Sequence, residues 1–200
     1  MRELPIIDHN DVTSDPDAFR PVGIPNHTYP AKTSGSSGTP FMFPCDQRAW
    51  AYRHAVVFRC MESFGVRVGE PYALFFGLHW NPKIRLISRI RDLALNWVRV
   101  SAYDIDPRNL DRHLRAIEGH RPAFFFGYPS AIYDFCVLLR DRGLDLTHLR
   151  LKAIFLTAEP LLPHQRSLIA DVTASRCVDL YGSADVRSII KCKRELVVQN

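Results

Sequence analysis

The sequence predicts an α/β layered domain with a largely parallel sheet. Helical and strand patterns alternate along residues 46 to 181, an order typical of such domains. The chain has 200 residues, of which 46% are hydrophobic and 24% charged, which is ordinary for a soluble globular protein. A chain of this length can bury a substantial core.

Cap and turn residues set the expected boundaries of the elements. Asp46 precedes a helix that should run to about Ser63, with Gly65 as its stop. Asp106 followed by Pro107 predicts a second helix start, and this helix should end near Gly119. The other expected helices cover 83–95, 129–142 and 163–173, and the expected strands cover 72–77, 97–103, 123–127, 151–157 and 176–181.

Composition divides the chain into three expected parts. Residues 1–40 are rich in proline and end in a Gly/Ser loop, so they should form an irregular N-terminal segment with little regular structure. Residues 41–185 should form the α/β domain, and residues 186–200 match no pattern.

The stretch 33–40 reads Thr-Ser-Gly-Ser-Ser-Gly-Thr-Pro and carries the clearest chemical signal. Glycines let successive backbone N–H groups point the same way, and the hydroxyls add donors, so the loop suits the phosphates of a nucleotide. A flexible linker has the same composition, so both interpretations stay open at this point.

Charge and cysteine usage exclude several classes of protein. The net charge of +5 suits an anionic ligand, but no basic run interleaves with aromatic residues, so nucleic-acid binding is not expected. The five cysteines are odd in number and lack CxxC spacing, which argues against disulfides or zinc. No apolar run is long enough to span a membrane, and no signal-peptide core is present, so a cytoplasmic protein is expected.

Polar motifs follow three of the expected strands. They are residues 127–130 (Gly-Tyr-Pro-Ser), 157–160 (Thr-Ala-Glu-Pro) and 181–185 (Tyr-Gly-Ser-Ala-Asp). Ligands of parallel sheets bind beyond the carboxyl ends of the strands. If the strands are parallel, these motifs should therefore line one edge of the sheet and form a shared site.

These motifs, in this order after TSGSSGTP, resemble the adenylate-forming enzymes, which include acyl- and aryl-CoA synthetases. The order FGYPS, LTAEPL and VDLYGSAD is most similar to the phenylacetate-CoA ligase branch, which includes coenzyme F390 synthetase-like and CapK-type proteins. The resemblance implies the large N-terminal domain of such an enzyme and covers the chain to about residue 185.

The resemblance also implies roles for individual residues. The implied phosphate-binding residues are Thr33, Ser34, Gly35, Ser36, Ser37, Gly38 and Thr39. The residues implied beside the adenine and the α-phosphate of ATP are Ala158, Glu159, Pro160, Tyr181, Gly182 and Ser183. The residues implied to wall the pocket of the carboxylate substrate are His79, Trp80, Tyr128, Pro129 and Ser130, and the implied Mg²⁺ ligand is Asp185.

Each of these residues also has a structural alternative. Glu159 could cap the helix that follows it, and Tyr181 could be a core aromatic at a strand end. Asp185 could be a solvated loop carboxylate, and His79 and Trp80 could simply pack.

The implied activity is ATP-dependent activation of a small carboxylic acid, with Mg²⁺ as cofactor and CoA or a carrier protein as the thiol acceptor. Two residues depart from the family pattern: Thr39 replaces a lysine, and Asp185 replaces a longer glutamate. The sequence ends at Asn200, before the family's ribose-binding aspartate and its C-terminal lid. The chain is therefore expected to be the front part of such an enzyme, or else a non-catalytic remnant that keeps the fold.

Overall fold

The computed structural model describes residues 7–16, 18–19, 28–32, 42–77, 85–181 and 191–192. By their contacts, these residues form two compact units, and the second unit begins at Val57. The domain boundaries expected from composition stay a prediction.

The first unit contains helix α1 (His9–Ser14) and strands β1 (Thr28–Lys32) and β2 (Met42–Asp46). The Asp8 carboxylate caps α1 by accepting the N–H groups of Asn10 and Asp11. Strands β1 and β2 pair in antiparallel register. The described part of segment 1–40 thus holds more regular structure than expected. A capping box stabilises helix α1. Strand β1 pairs with β2, which was not among the expected strands.

The second unit is built on a sheet in which the strand order is β4-β3-β5-β6-β7-β8. The first five strands of that order are mutually parallel, and β8 pairs antiparallel with β7. The α/β class and the parallel sheet are therefore confirmed. The strands are β3 (Tyr72–Phe76), β4 (Trp97–Ser101), β5 (Phe124–Gly127), β6 (Ala153–Thr157), β7 (Cys177–Tyr181) and β8 (Lys191–Cys192).

The helices follow the expected order. They are α2 (Gln47–Glu62), α3 (Arg85–Ala94), α4 (Leu110–His120), α5 (Pro129–Asp141) and α6 (Pro163–Thr173). Helix α2 begins directly after Asp46, α5 begins at Pro129, and α6 has the predicted bounds.

The predicted start of α4 was wrong by about one turn. Asp106 does not cap the helix directly; its Oδ1 accepts the N–H groups of Arg108 and Asn109, which closes a separate turn around Pro107. The helix begins only at Leu110. The strand expected over 97–103 also ends early, at Ser101, because residues Ala102–Asp104 form a 3₁₀ turn.

Alternation along the strands builds one core on each face of the sheet. Phe75, Phe125 and Leu156 lie on one face, under Phe135 of α5 and Ile169 of α6. Phe124 and Phe155 lie on the other face with Met61 of α2. Among the described residues, no helix is long and apolar enough to cross a membrane.

Cys45, Cys60, Cys136 and Cys177 are free thiols. Cys136 is buried, and the other three are half-buried.

Candidate functional site

The strand ends that carry the predicted motifs lie side by side. The register pairs Phe75 with Gly127, Gly127 with Leu156, and Thr157 with Leu180. Tyr128, Thr157 and Leu180 therefore reach the same level of the sheet, with Ala158 and Tyr181 one residue beyond. The carboxyl ends of β5, β6 and β7 thus form one continuous edge, as the sequence predicted.

Gly127 allows β5 to approach β3 closely at this edge. A Cβ atom at Gly127 would lie 2.1 Å from the carbonyl oxygen of Phe75. The same carbonyl accepts the N–H of Tyr128 at 2.9 Å. This contact fixes where the chain leaves the sheet, and it places Tyr128 directly before α5.

Glu159 connects two of the predicted motifs. Ser130 donates its backbone N–H to Oε2 of Glu159 at 3.1 Å. Ser130 lies in the first turn of α5, where backbone N–H groups have no partner within the helix and a negative charge is favoured. The carboxylate therefore links the turn after β6 to the start of α5.

The turn that presents Glu159 depends on an unusual backbone conformation. Ala158 has a φ of 69°, in the left-handed region that is costly for a residue with a side chain. The alternative that Glu159 caps the following helix is wrong, because its carboxylate accepts the N–H of Ser130 in α5. At the start of α6, the side chain of Gln165 accepts the N–H of Leu162 at 3.1 Å.

Burial and neighbouring groups raise the pKa of two side chains near Glu159, those of Tyr128 and Asp134. Partial burial, Tyr103 and Glu159 together raise the pKa of Tyr128 above its usual value. Partial burial and Glu159 raise the pKa of Asp134 in the same way. A tyrosine hydroxyl is protonated at neutral pH, so the Tyr128 hydroxyl can donate a hydrogen bond.

Tyr181 ends β7 beside Ala158, and its side chain is 68% exposed. The alternative that Tyr181 is a core aromatic is therefore wrong. An exposed ring at a strand end is accessible for stacking on a planar group. Pro129 is buried as the first residue of α5, and Ser130 is half-buried beside it. Pro160 is exposed.

Tyr103 also lies at this edge, although no motif in the sequence pointed to it. It lies in the 3₁₀ turn after β4, and its side chain is 71% exposed. A Cβ atom at Gly77, just after β3, would lie 2.7 Å from the Tyr103 hydroxyl oxygen. The ring therefore covers the end of β3, and its hydroxyl influences the pKa of Tyr128.

The neighbouring residue, Asp104, anchors the turn that carries Tyr103. Asp104 accepts hydrogen bonds from the side chains of Arg112 and Asn109, the latter at 2.7 Å. Nε2 of His113, a residue only 6% exposed, lies 3.1 Å from the Asp104 carbonyl oxygen. Because a carbonyl only accepts, this nitrogen donates. Asp104 follows β4 by three residues, and an acidic residue just after a strand is too common a pattern to reveal such an anchor.

The remaining predicted site residues lie outside the described part of the chain. They are Thr33, Ser34, Gly35, Ser36, Ser37, Gly38, Thr39, His79, Trp80, Gly182, Ser183 and Asp185. Within the described ranges, no group of three or more His, Cys, Asp or Glu residues is placed to hold a metal ion. The metal site expected at Asp185 stays a prediction.

No protein-family model and no curated protein sequence matches the chain. Several solved structures do match. 2-Hydroxyisobutyryl-CoA ligase, in complex with 2-HIB-AMP and CoA in the thioesterification state, matches 90% of this chain with a TM-score of 0.61 and 21% identity. Malonyl-CoA ligase with methylmalonyl-CoA and AMP bound matches 78% with a TM-score of 0.50 and 19% identity. CmiS6 matches 82% with a TM-score of 0.51 and 18% identity.

The chain spans 39% of the 2-hydroxyisobutyryl-CoA ligase chain and 32% of the malonyl-CoA ligase chain. At these identities the likeness shows the fold. The chain therefore has the α/β fold found in 2-hydroxyisobutyryl-CoA ligase and malonyl-CoA ligase.

Proposed function

We propose that this chain provides the nucleotide- and acid-binding edge of an enzyme that activates a carboxylic acid with ATP. The observation that carries the proposal is the hydrogen bond from Ser130 N–H to Glu159 Oε2. It joins two motifs that the family resemblance assigns to opposite parts of one site, the acid pocket and the adenine. The fold shared with CoA ligases supports the same conclusion.

The described residues offer the chemical groups that such a site needs. Tyr181 presents an exposed ring beside the Ala158–Glu159 turn, where an adenine could stack. Tyr128, Pro129 and Ser130 form the adjacent wall at the start of α5. In the proposed reaction a carboxylate oxygen attacks the α-phosphorus of ATP and pyrophosphate leaves. Donors must then stabilise charge on the phosphates.

The phosphate groups are assigned to the loop 33–39, and Asp185 is proposed as a ligand of Mg²⁺. When bound, Mg²⁺ would neutralise phosphate charge through oxygen ligands. The activated acid, joined to AMP, would then pass to CoA or a carrier protein. The CoA ligases that share this fold support this step. Within the superfamily, we assign the chain to the phenylacetate-CoA ligase branch on its motif order, and we propose a cytoplasmic location.

Exchange of labelled pyrophosphate into ATP tests the activity directly. A set of carboxylic acids is supplied one at a time, and the proposal expects exchange that depends on the acid and on Mg²⁺. If ATP binds in calorimetry but no acid supports exchange, the alternative of a non-catalytic protein that keeps the fold is favoured.

Two variants test the loop. Gly35→Val and Gly38→Val should weaken ATP binding at least about ten-fold, because the amide positions that hold phosphate require glycine conformations. Gly119→Ala is the matched control, since a Cβ atom there meets nothing within 4 Å and lies in the last turn of α4. Equal ATP affinity in the loop variants and the control would make the loop a linker.

A further inference from the structure

The edge that carries the proposed site continues past the predicted motifs to Tyr103. Phe76 pairs with Ser101 across β3 and β4, so the chain leaves both strands at one level. Tyr103 follows two residues after Ser101 and covers Gly77, which follows β3. Tyr103 therefore lies at the same edge of the sheet as Tyr128, at the end of β4.

Aromatic rings lie at the ends of β3 and β5, next to Gly77, which Tyr103 covers. The rings of Phe76 and Tyr128 lie 4.6 Å apart between centroids, in an edge-to-face arrangement, and Phe126 lies 5.4 Å from Phe76. Phe76, Phe126 and Tyr128 are only half-buried. This end of β3 and β5 thus presents apolar rings and the Tyr128 hydroxyl rather than a sealed core.

The turn that carries the exposed Tyr103 is anchored through its neighbour. An exposed aromatic side chain usually loses conformational freedom only where packing or hydrogen bonds order it. Here the next residue, Asp104, is anchored by Arg112 and Asn109, and the buried His113 fixes its carbonyl. Support of this kind around an exposed side chain is typical of a functional position.

We infer that Tyr103 is a specificity-determining residue of the acid site, where its ring closes the β4 side next to Tyr128 and limits the length of the acyl chain. This inference rests on the proposed function. It goes further because no motif and no resemblance assigns Tyr103 a role. The ring supplies the barrier, so the hydroxyl is dispensable for length selection.

The test compares straight-chain saturated acids of two to ten carbons in pyrophosphate exchange. Tyr103→Ala should shift the preference toward longer acids by roughly ten-fold or more in relative kcat/KM, since one methylene in a pocket changes selectivity by about this factor. Tyr103→Phe should keep the wild-type profile. Leu144→Ala is the control, because Leu144 is 40% exposed and follows the far end of α5, at the opposite edge of the sheet.

An unchanged length profile in Tyr103→Ala would overturn the inference, as would a shift of equal size in Tyr103→Phe or Leu144→Ala. Calorimetric titration of the same acids in the presence of AMP separates this inference from the activity. A shifted binding preference without any exchange would refute only the activation reaction. No difference in binding preference between wild type and Tyr103→Ala, or no binding at all, would refute the role of Tyr103.

Discussion

Glu159 is exposed, yet its carboxylate is committed to the Ser130 N–H at the start of α5. Glu159→Ala should lower the free energy of unfolding by about 1 kcal/mol, because a helix N-terminus loses its acceptor and its favourable charge. Glu159→Gln keeps a hydrogen-bond acceptor, so it should lower the free energy of unfolding by less than Glu159→Ala does. Urea denaturation of the three proteins checks this order, which would be contradicted if Ala and Gln cost the same.

Asp134 makes stability depend on pH. Its pKa is raised by partial burial and by Glu159, so the folded state binds its proton more tightly than the unfolded state does. This contribution to stability is full below the ordinary carboxyl pKa and is lost as pH rises through the raised value.

Asp134→Asn should therefore gain stability relative to wild type as pH rises from about 4 to about 7. Denaturation curves across that range measure the difference. Glu159→Gln should also lower the pKa of Asp134 toward its ordinary value, which NMR titration of the carboxyl group reports. A difference between wild type and Asp134→Asn that is constant with pH would contradict the assignment.

Two thiols of the second unit should react slowly. Burial raises the pKa of Cys177 to about 11. Burial and the nearby Cys177 also raise the pKa of Cys136 well above its ordinary value. Since the thiolate is the reactive form, a maleimide or iodoacetamide at neutral pH should modify Cys45 and Cys60 before Cys136 and Cys177. Mass spectrometry of a labelling time course gives the order, and early labelling of Cys136 in the folded protein would contradict it.

At the scale of elements, the exit of β5 depends on one glycine. Gly127→Ala would place a Cβ atom 2.1 Å from a backbone oxygen of β3 and 2.6 Å from Phe75 Cβ. Neither atom belongs to a flexible side-chain end, so the strands must separate, at a cost of about 1–3 kcal/mol or more.

Gly119→Ala is the matched control for this substitution. Its added methyl meets nothing within 4 Å in α4, and alanine favours a helix over glycine by about 0.5–1 kcal/mol. Thermal denaturation should therefore move the two variants in opposite directions. A neutral Gly127→Ala would show that the close approach of β3 and β5 is not required.

The elements were well predicted where a local signal acted alone. Pro129 started α5 and Pro163 started α6, because proline is suited to the first helical turn. The start of α4 was mispredicted because two local signals competed. Asp106 carries a cap signal, but its carboxylate accepts the N–H groups of Arg108 and Asn109 in a separate turn, so α4 begins only at Leu110.

At the scale of the molecule, α5 connects the sheet to the proposed site. Phe135 is fully buried, and its ring lies 5.6 Å from that of Phe75. Phe135→Ala should cost about 3–5 kcal/mol, a large part of the stability of a typical domain. Its effect should reach Ser130 and Glu159, because both depend on the position of α5.

Phe135→Leu serves as the milder variant and should retain most of the stability. Chemical denaturation followed by near-ultraviolet circular dichroism measures both. If Phe135→Ala unfolds at the wild-type denaturant concentration, α5 does not depend on this contact.

The sequence by itself determined the fold class, the order of helices and strands, and the placement of three polar motifs at strand ends. These follow from periodicity, prolines and glycines, which act over a few neighbouring residues. The tertiary structure alone decided that Glu159 caps α5 rather than α6, that Tyr181 is exposed, and that Tyr103 covers Gly77 at the end of β3. These contacts join residues far apart in the chain, and strand register and packing, which no short pattern encodes, bring them together.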